Sequence, residues 1–400
     1  MAFGFTRDVP ADCLIYAPHP LSFDDMKTYG IDANALTQQR KTGTERYAWE
    51  LIREMMKEPL LDRERVVLYA SGDIPDLGTL PNGWQLKILT WKLKKAWTHL
   101  RLSWELTSRP PNVFFSPAHE IPLFCRQTGI VATVHDVAFR IVPDVYPDRN
   151  RMRQEWAVGR AIRKASRLIA ISETTKNDLV NLYKIPPGKI IVTPLAVRRE
   201  EFAVSESDRR RVLDKYRLAK GQYFLTVGRI ENKKNIPFFL SAFEMFKQTR
   251  NIGDPYQLVL AGSFGHGAEE IKSQIENLNC RNSVRVLGYV PDEDLAGLFC
   301  GASAYVFPSQ YEGFGIPALE AMAANIPLIA SDIPALREVA GDAALFAHPG
   351  TTQAWSDAMR KIVDDRESAG ADLIQRGSER LLEYSWEKTA RRTWEVLRSI

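Results

Sequence analysis

The chain has 400 residues, of which 45% are hydrophobic and 26% are charged, and its formal net charge is +4. This length and hydrophobic content predict two domains with separate cores. Four widely spaced cysteines without a C-x-x-C pair argue against a zinc site or a disulfide framework. The first residues do not resemble a signal peptide and no apolar run approaches a membrane span, so we expect a protein of the reducing cytoplasm.

The charge is unevenly distributed along the chain. Residues 1–200 carry a net charge of +7, and residues 201–400 a net charge of −3. A basic first half predicts an acidic partner, such as an anionic membrane surface or a phosphorylated molecule. The alternative is that the excess basic residues are ordinary solvent-exposed residues without a specific partner. We predict no nucleic-acid partner.

The first predicted elements are a strand and a helix joined by a glycine-containing loop. Residues 1–25 form an extension without a clear period, and Lys27–Asp32 is the first predicted strand, with 14–17 as a competing candidate. The loop at Gly43 leads into a predicted helix at 48–57. A glycine loop before a helix start is a candidate contact for a phosphate or a substrate, and a plain cap and turn is the alternative.

Strands and helices alternate through the rest of the first half. Alternation of this kind predicts a parallel sheet that is covered on both faces. The remaining predicted strands of this half are 66–70, 86–90, 113–116, 130–135, 167–172 and 190–194. The fourth of them ends at His135, where ligands bind in open α/β sheets. His135 is therefore a candidate ligand contact or proton carrier, and a structural histidine bonded to Asp136 is the alternative.

The segment 91–104 mixes tryptophan, leucine and basic residues at helical spacing. Such a helix is able to lie on an anionic membrane. The alternative is that its apolar face packs on the sheet.

The second half repeats the same alternation. Residues 198–220 are rich in charge and form the predicted link between the halves. The predicted strands that follow are Tyr223–Val227, 258–262, 284–290, Ala304–Phe307 and 327–331, and residues 384–400 form a final helix. The first of these strands ends before a loop that contains Arg229 and Lys234. Two cations on a strand-to-helix loop are suited to a diphosphate, with a solvated charge cluster as the alternative.

The loop after Ala304–Phe307 carries two glutamates, Glu312 and Glu320, in front of and within a predicted short helix. Gly313 and Gly315 allow the backbone to approach a ligand closely, and the helix start attracts an anion. Glu320 is expected in the first helical turn, where the helix dipole favours its ionised form. An ionised carboxylate accepts hydrogen bonds from two hydroxyls, such as those of a ribose. These features together predict a nucleotide site.

A dinucleotide site is the rival interpretation of the same loop. Residues 313–318 fit the pattern G-x-G-x-x-A, and Asp332 ends the following predicted strand. The pattern begins too late in the chain for a full dinucleotide-binding sheet to follow it. Glu312 would also place a negative charge against a pyrophosphate.

The motifs of the second half resemble those of a known family. Glu312 and Glu320 form an E-x7-E pair in the frame EGFGIPALEAMAANIPLIASD, which continues as GDAALFAHPG. The motifs before it are Gly228-Arg229, Lys234-Asn235, Leu287-Gly288-Tyr289 and Pro308-Ser309. Together they resemble the GT-B retaining glycosyltransferases of family 4 over most of residues 223–350. The first half resembles the family more loosely, at residues 30–32, 43–47, 133–136 and 170–173.

The resemblance implies an α/β protein of the GT-B fold, in which two Rossmann-like, doubly wound parallel-sheet domains face a cleft. We predict an acceptor-binding domain at 1–198 and a nucleotide-sugar-binding domain at 199–383. The helix 384–400 is expected to cross back to the first domain.

The resemblance also implies roles for individual residues. Glu320 would hold the ribose of the donor, Arg229 and Lys234 its diphosphate, and Glu312 the transferred sugar. The remaining implied donor contacts are the backbone of Phe314, Gly315 and Ile316, the base pocket at Tyr289 and Val290, and the loop at Gly43. His135 would reach the donor sugar or the acceptor. Where family members often have a second glycine in the Gly43 loop, this chain has Glu45, which puts a close phosphate contact in doubt and points to acceptor recognition.

Family resemblance implies transfer of a hexose with retention, without a metal or a bound cofactor. The form of the motifs is most like bacterial mannosyltransferases of surface-polysaccharide assembly, so GDP-mannose is the first expected donor, with UDP- or dTDP-sugars as alternatives. The expected acceptor is a glycan or a polyprenyl-linked glycan, with peripheral contact to the inner membrane face. A nucleotide-sugar epimerase or phosphorylase and a non-catalytic scaffold of the same fold are the other classes considered.

Overall fold

A computed structural model describes residues 26–38, 43–92, 96–126 and 128–400. The predicted extension 1–25, with its alternative strand at 14–17, lies outside these residues. The strands of the first sheet are β1 (Lys27–Asp32), β2 (Glu64–Ala70), β3 (Trp84–Ile88), β4 (Val113–Ser116), β5 (Gly129–Val134), β6 (Arg167–Ala170) and β7 (Ile190–Val192). They run parallel in the order β3-β2-β1-β4-β5-β6-β7.

The second sheet has the same design. Its strands are β8 (Tyr223–Val227), β9 (Gln257–Ala261), β10 (Val284–Gly288), β11 (Ala304–Phe307), β12 (Leu328–Ser331) and β13 (Leu345–Ala347). They are parallel in the order β10-β9-β8-β11-β12-β13. The strand order therefore reverses between β1 and β4 in the first sheet and between β8 and β11 in the second. Such reversals open a crevice at the carboxyl ends of the strands, where doubly wound proteins bind ligands.

Helices cover both faces of both sheets. Those of the first half are α1 (Gly43–Met55), α2 (Ser103–Ser108), α3 (Ala138–Ile141), α4 (Asp148–Lys164) and α5 (Glu173–Tyr183). Those of the second half are α6 (Glu206–Tyr216), α7 (Ile236–Gln248), α8 (Ala268–Asn277), α9 (Asp292–Gly301), α10 (Ile316–Ala323), α11 (Pro334–Ala340), α12 (Thr352–Asp364), α13 (Ala371–Arg380) and α14 (Trp386–Arg398). Alternate residues of a strand enter different apolar clusters, as Phe114 and Phe115 do in β4. Both faces are thus buried, which explains the continuous apolar runs in the sequence.

The predicted strands agree with the structure in type and order, and β1, β4, β8 and β11 have the predicted bounds. Helix α1 begins at Gly43 rather than at residue 48, and Glu45 in its first turn is favoured by the helix dipole. The segment 91–104 is not one helix. Ala96 has a left-handed φ of 62°, residues 97–102 form a wide π-type turn, and α2 begins only at Ser103.

Helix α14 returns to the first half of the chain, as the resemblance implies. The ring of Trp394 is buried and makes edge-to-face contacts with Tyr29 and Trp84 at centroid distances of 5.3 and 6.1 Å. Its Nε1 donates to the carbonyl of Met55 in α1, and Arg398 pairs with Glu64 at 2.9 Å. The chain thus crosses between its halves twice, before α6 and before α14. The predicted domain limits near residues 198 and 383 stay predictions.

We expect Trp394→Ala to lower the free energy of unfolding by about 3–5 kcal/mol, because it leaves a large cavity between α14, β1 and β3. Denaturant titration followed by circular dichroism measures this change. The matched control is Trp104→Ala, whose side chain is 74% exposed and whose loss should change stability by less than about 0.5 kcal/mol. Equal losses in the two variants would contradict the packing described for α14.

Candidate active site

The loop between β11 and α10 lies at the reversal point of the second sheet. Gly315, the residue before α10, has a φ of 115°, a conformation that favours glycine. A Cβ atom at this position would also lie only 2.7 Å from Cδ2 of Leu336. Asn325, after the end of the helix, adopts the left-handed conformation common at helix ends, with a φ of 53°.

Glu312 and Lys234 form an ion pair inside this site. The distance from Nζ of Lys234 to Oε1 of Glu312 is 2.6 Å, and both side chains are largely buried. Arg229, the other predicted cation, has a different environment. Its side chain is 68% exposed, and its Nε lies 3.2 Å from Oε2 of Glu231. Of the two cations predicted to neutralise a diphosphate, one is held in the site and the other extends into solvent.

Glu320 is buried in α10 and is reached by Arg46 of α1. Nη1 of Arg46 lies 3.1 Å from Oε1 of Glu320, and its Nη2 lies 2.5 Å from Oε2 of Glu201. Because α10 begins at Ile316, Glu320 lies beyond its first turn, and the predicted helix-dipole stabilisation does not apply. Burial instead raises the pKa of Glu320 above its usual value, and the charge of Arg46 offsets part of this rise.

His135 follows β5 and lies on the first-domain side of the site. Its Nε2 is 2.9 Å from the carbonyl oxygen of Pro117, so this nitrogen carries the proton and donates it. The ring also contacts Tyr47 edge-to-face at 4.9 Å. Burial is the main cause that lowers the pKa of His135 to about 4, so the ring is neutral at neutral pH. The alternative of a histidine bonded to Asp136 is wrong, because the ring bonds to Pro117.

Asp136 pairs instead with Lys233, at 3.2 Å between Oδ2 and Nζ. Burial alone would raise the pKa of Asp136, but Lys233 holds it below its usual value. Burial would likewise lower the pKa of Lys233, and the charges of Asp136 and Glu312 outweigh it and raise this pKa. Both partners are therefore charged at neutral pH, and the pair joins the two halves of the chain.

Three further contacts, which with Lys233–Asp136 we name the closing contacts, hold the halves together. The carbonyl oxygen of Gly313 accepts hydrogen bonds from Oγ of Ser172 at 2.5 Å and from Oγ1 of Thr175 at 3.1 Å. The carboxylate of Glu338 accepts from the backbone N–H groups of Glu173 and Thr174, at 2.7 and 2.8 Å, at the start of α5. Tyr311 donates to Oδ2 of Asp178 at 2.7 Å. The cleft is closed in this structure.

Gly313 is needed for this closed arrangement. A Cβ atom on it would lie 2.1 Å from the carbonyl oxygen of His135 and 2.9 Å from Cβ of Asp136. The sequence argument assigned this glycine to close approach of a ligand. In the structure its backbone approaches the other half of the chain instead.

We expect Gly313→Ala to lower catalytic turnover by about tenfold to 100-fold, because the added methyl group separates Gly313 from His135 and a displacement of about 1 Å at a reacting centre lowers rates by up to about 100-fold. Steady-state kinetics measures the loss, and small-angle scattering measures the opening of the cleft. Gly350→Ala is the control, since a Cβ atom there meets nothing nearer than 3.4 Å. Unchanged turnover in Gly313→Ala would show that the closed contact is not used.

The other residues predicted to contact the donor differ in their exposure to solvent. Phe314 is buried and packs edge-to-face on Tyr384 at 5.7 Å, so only its backbone is available to a ligand. Val290 is buried, Tyr289 is half exposed, and Gly43 is the exposed first residue of α1. The structure thus brings together Lys234, Glu312, the start of α10, Glu320 and His135. Arg229 and Tyr289 lie at exposed positions.

Sequence reasoning missed three residues of this site. Arg46 lies within the predicted loop at 43–47 and Lys233 directly before Lys234, but neither of them, nor Glu338, was predicted as a site residue. A basic residue in the first turns of a helix opposes the helix dipole, and this signal was available for Arg46. Lys233 had only its position beside Lys234 to distinguish it. Glu338 had no local signal, because its partners are more than 160 residues away.

Within the described ranges, no group of three or more His, Cys, Asp or Glu side chains is arranged to hold a metal ion. None of the helices in those ranges has the length and apolar character to span a membrane.

Family models match both halves of the chain. Residues 41–201 match the model described as Glycosyltransferase Family 4, and residues 208–380 match Glycosyl transferases group 1. The O-antigen chain mannosyltransferase B of Escherichia coli is 31% identical over 296 residues, which are 73% of this chain and 76% of that protein. The O-antigen chain mannosyltransferase RfbU of Salmonella typhimurium is 29% identical over 280 residues, or 70% and 72% of the two chains.

The fold is also found in solved structures. The structure of Anabaena Alr3699/HepE in complex with UDP and glucose superposes with a TM-score of 0.71 at 17% sequence identity, over 94% of this chain and all of the other. The two sheets, the returning α14 and the two matched family models lead to one conclusion. The chain belongs to glycosyltransferase family 4, the group 1 glycosyl transferases, and is a glycosyltransferase of the GT-B fold.

Proposed function

We propose that the protein is a retaining hexosyltransferase of cell-surface polysaccharide synthesis, which moves mannose from GDP-mannose to a hydroxyl of a glycan or a polyprenyl-linked glycan. The observation that carries this proposal is the arrangement of Lys234, Glu312 and Glu320 at the β8–β11 crevice, opposite His135. The O-antigen mannosyltransferase relatives support mannose as the sugar. The structural neighbour in complex with UDP and glucose supports UDP-sugars as the alternative donors, and dTDP-sugars are a further alternative.

The roles proposed for the donor site follow its charges. Glu320 accepts hydrogen bonds from the ribose hydroxyls, while Arg46 keeps one of its contacts with the same carboxylate. Lys234 moves from Glu312 to the diphosphate, and Arg229, which is free to swing from solvent, joins it. The N–H groups at the start of α10 add to this anion site. Glu312, released from Lys234, accepts from hydroxyls of the transferred sugar, and Tyr289 and Val290 line the base pocket.

The proposed reaction is a front-face displacement. The acceptor oxygen forms a bond to the anomeric carbon on the face from which the diphosphate leaves, and the carbon–oxygen bond to the diphosphate breaks. The acceptor proton passes to the departing phosphate oxygen, so that neither a metal ion nor a protein nucleophile takes part. The protein contributes mainly by stabilising negative charge on the leaving group, which is the role of Lys234 and Arg229.

A thermal-shift screen against GDP-, UDP-, ADP- and dTDP-sugars tests the donor, because a ligand that binds only the folded state raises the melting temperature. We expect the largest shift from GDP-mannose and transfer with retained anomeric configuration, read by proton NMR, that persists in EDTA. A change in the sugar without an acceptor would indicate an epimerase. Absence of nucleotide binding would contradict the proposed activity and would favour the interpretation of the protein as a non-catalytic scaffold.

We also propose that the enzyme works at the cytoplasmic face of the membrane. Large apolar side chains are exposed around the α2–α4 side of the first domain, namely Leu100, Trp104, Phe124, Met152 and Trp156. Two contacts make this one surface. The ring of His99 packs edge-to-face on Trp156 at 5.3 Å, and the N–H of Phe124 donates to Ser103 at 3.2 Å. Helix α4 adds six basic residues against two acidic ones, which suits anionic lipid.

We expect the double variant Trp104→Ser/Trp156→Ser to reduce binding to vesicles that contain phosphatidylglycerol by about tenfold or more, since two large apolar side chains no longer enter the interface. Sedimentation with vesicles measures the bound fraction. Leu382→Ser, which changes an exposed apolar residue of the second half, is the control. Equal binding of all three proteins would exclude this surface as the membrane contact.

A further inference from the structure

A polar cavity lies at the reversal point of the first sheet, between the carboxyl ends of β1 and β4. Its volume is about 580 Å³, within the range of roughly 300–1,000 Å³ that is common for small-molecule sites. Asp32 and Ser116 come from the two strand ends, and α1 and α4 form its sides. The crevice rule for doubly wound sheets marks this position as a ligand site in its own right.

The cavity is next to the candidate active site. Pro117 lines it, and the carbonyl oxygen of Pro117 accepts the hydrogen bond from His135. Tyr146 lines it as well, and Nζ of Lys233 lies 5.8 Å from the centroid of this ring. The cavity is therefore separated from His135 and Lys233 only by the lining residues Pro117 and Tyr146.

The side chains that line the cavity are suited to hydrogen bonding with hydroxyl groups. Four side-chain amides line the cavity, and each offers a donor and an acceptor; they are Asn34, Gln38, Asn150 and Gln154. His119 also lines it, and its Nδ1 is buried without a hydrogen-bond partner in the part of the chain that is described. Burial lowers the pKa of His119, so its ring is neutral and offers one donor and one acceptor.

The charge of the lining is negative. Its ionisable groups include the carboxyls of Asp32, Glu45 and Glu120 and the guanidinium of Arg153, and Arg153 is already paired with Glu120. Burial raises the pKa of Asp32 to about 7, so this carboxyl is partly protonated at neutral pH and is able to donate to a hydroxyl. A phosphate in such a site would meet groups of like charge, which is unfavourable.

We propose that this cavity, which lies in the domain expected to bind the acceptor, selects acceptors whose terminal sugar is uncharged over acceptors whose terminal sugar is phosphorylated. The inference rests on the proposed function and adds the chemical class of the acceptor end. His119 and Asp32 bind its hydroxyls, and Glu45 and Glu120 exclude anionic sugars. Any phosphate of a carrier lipid then lies outside the cavity, on the basic side of α4.

The test measures sugar binding directly, without turnover, by saturation-transfer NMR on the full chain. The probes are the methyl glycosides of mannose, glucose, galactose and N-acetylglucosamine and the 6-phosphates of the same sugars. We expect at least one uncharged glycoside to bind about tenfold more tightly than its 6-phosphate, because the phosphate places its negative charge against the carboxyls of the lining. His119→Phe keeps a ring of similar shape and should weaken binding of that glycoside by about tenfold.

In the double variant Glu45→Gln/Glu120→Gln, the ratio of the affinities for the uncharged sugar and its 6-phosphate should fall about tenfold, because the variant removes two negative charges and frees Arg153. If the double variant does not fold, Glu120→Gln alone should show the same direction. Equal or tighter binding of the phosphates to the unmodified protein, no binding of any glycoside, or an unchanged preference in the variants would each overturn the proposal.

GDP binding to the same proteins separates this inference from the proposed function. If GDP and every other nucleotide fail to bind, the proposed function fails. If nucleotide binding and sugar transfer are intact while the sugars do not follow the expected pattern, only the assignment of the cavity fails.

Discussion

Glu320→Ala is expected to lower kcat/KM for the nucleotide sugar by about 100-fold or more. In our proposal its carboxylate accepts hydrogen bonds from two ribose hydroxyls, and bonds to a charged group are each worth roughly 1.5–3 kcal/mol. The variant also leaves Arg46 without its partner at 3.1 Å. Calorimetry with GDP should show the loss as weaker binding, and steady-state kinetics should show it mainly in KM.

Two variants of neighbouring residues show whether the effect belongs to Glu320 itself. Glu201→Ala removes the other partner of Arg46 and should leave GDP binding within about threefold, a difference below 1 kcal/mol. Arg46→Met removes the cation that offsets the raised pKa of Glu320, so this pKa should rise further and the acidic limb of the activity profile should move to higher pH. Normal GDP affinity in Glu320→Ala would refute the ribose assignment.

Lys234→Ala is expected to lower kcat by roughly 100- to 1,000-fold, the usual effect of losing one stabilising donor at a site of developing negative charge. The loss should fall on kcat more than on KM, because the charge on the leaving diphosphate is greatest in the transition state. The variant also leaves Glu312 without the cation that lies 2.6 Å from it. Initial rates at saturating donor measure the effect.

Two further variants, Arg229→Ala and Lys272→Ala, serve as comparisons for Lys234→Ala. Arg229→Ala should also strongly reduce kcat if the exposed guanidinium swings onto the diphosphate, whereas Lys272 pairs with Glu269 on the surface and its loss should be silent. Full activity in Lys234→Ala, with a loss in Arg229→Ala, would place the diphosphate on the Arg229 side alone.

The fold was predictable from the sequence because its signals are local. Continuous apolar runs identify buried parallel strands, and four of them, β1, β4, β8 and β11, have the predicted bounds. The irregular segment at 91–104 was not predictable, because its helical spacing is interrupted at Ala96 by a backbone conformation that alanine rarely adopts. Helix starts were less accurate than strand ends, as α1 shows.

Only those residues of the site that are positioned by contacts within one half of the molecule were predictable from the sequence. Glu312, Gly315 and Glu320 come from one loop and the helix after it, so their spacing in the sequence sets their spacing in space, and Lys234 comes from a second loop of the same half. Arg46, Glu338 and the use of Gly313 depend on contacts between the halves, and their partners are at least 138 residues distant in the chain. No local pattern encodes the way in which two domains meet.

The closing contacts have a consequence for measured affinities. They are hydrogen bonds and one ion pair, and each exchanges for water at a net free energy of only about 0.5–1.5 kcal/mol. Because each contact is weak, we expect open and closed forms of the free enzyme to differ by only a few kcal/mol, so that the closed form makes up only part of the population. The apparent dissociation constant is the intrinsic one divided by that fraction. We expect Glu338→Ala, a substitution in α11 that removes the acceptor of two N–H groups at the start of α5, to weaken donor binding by lowering the population of the closed form.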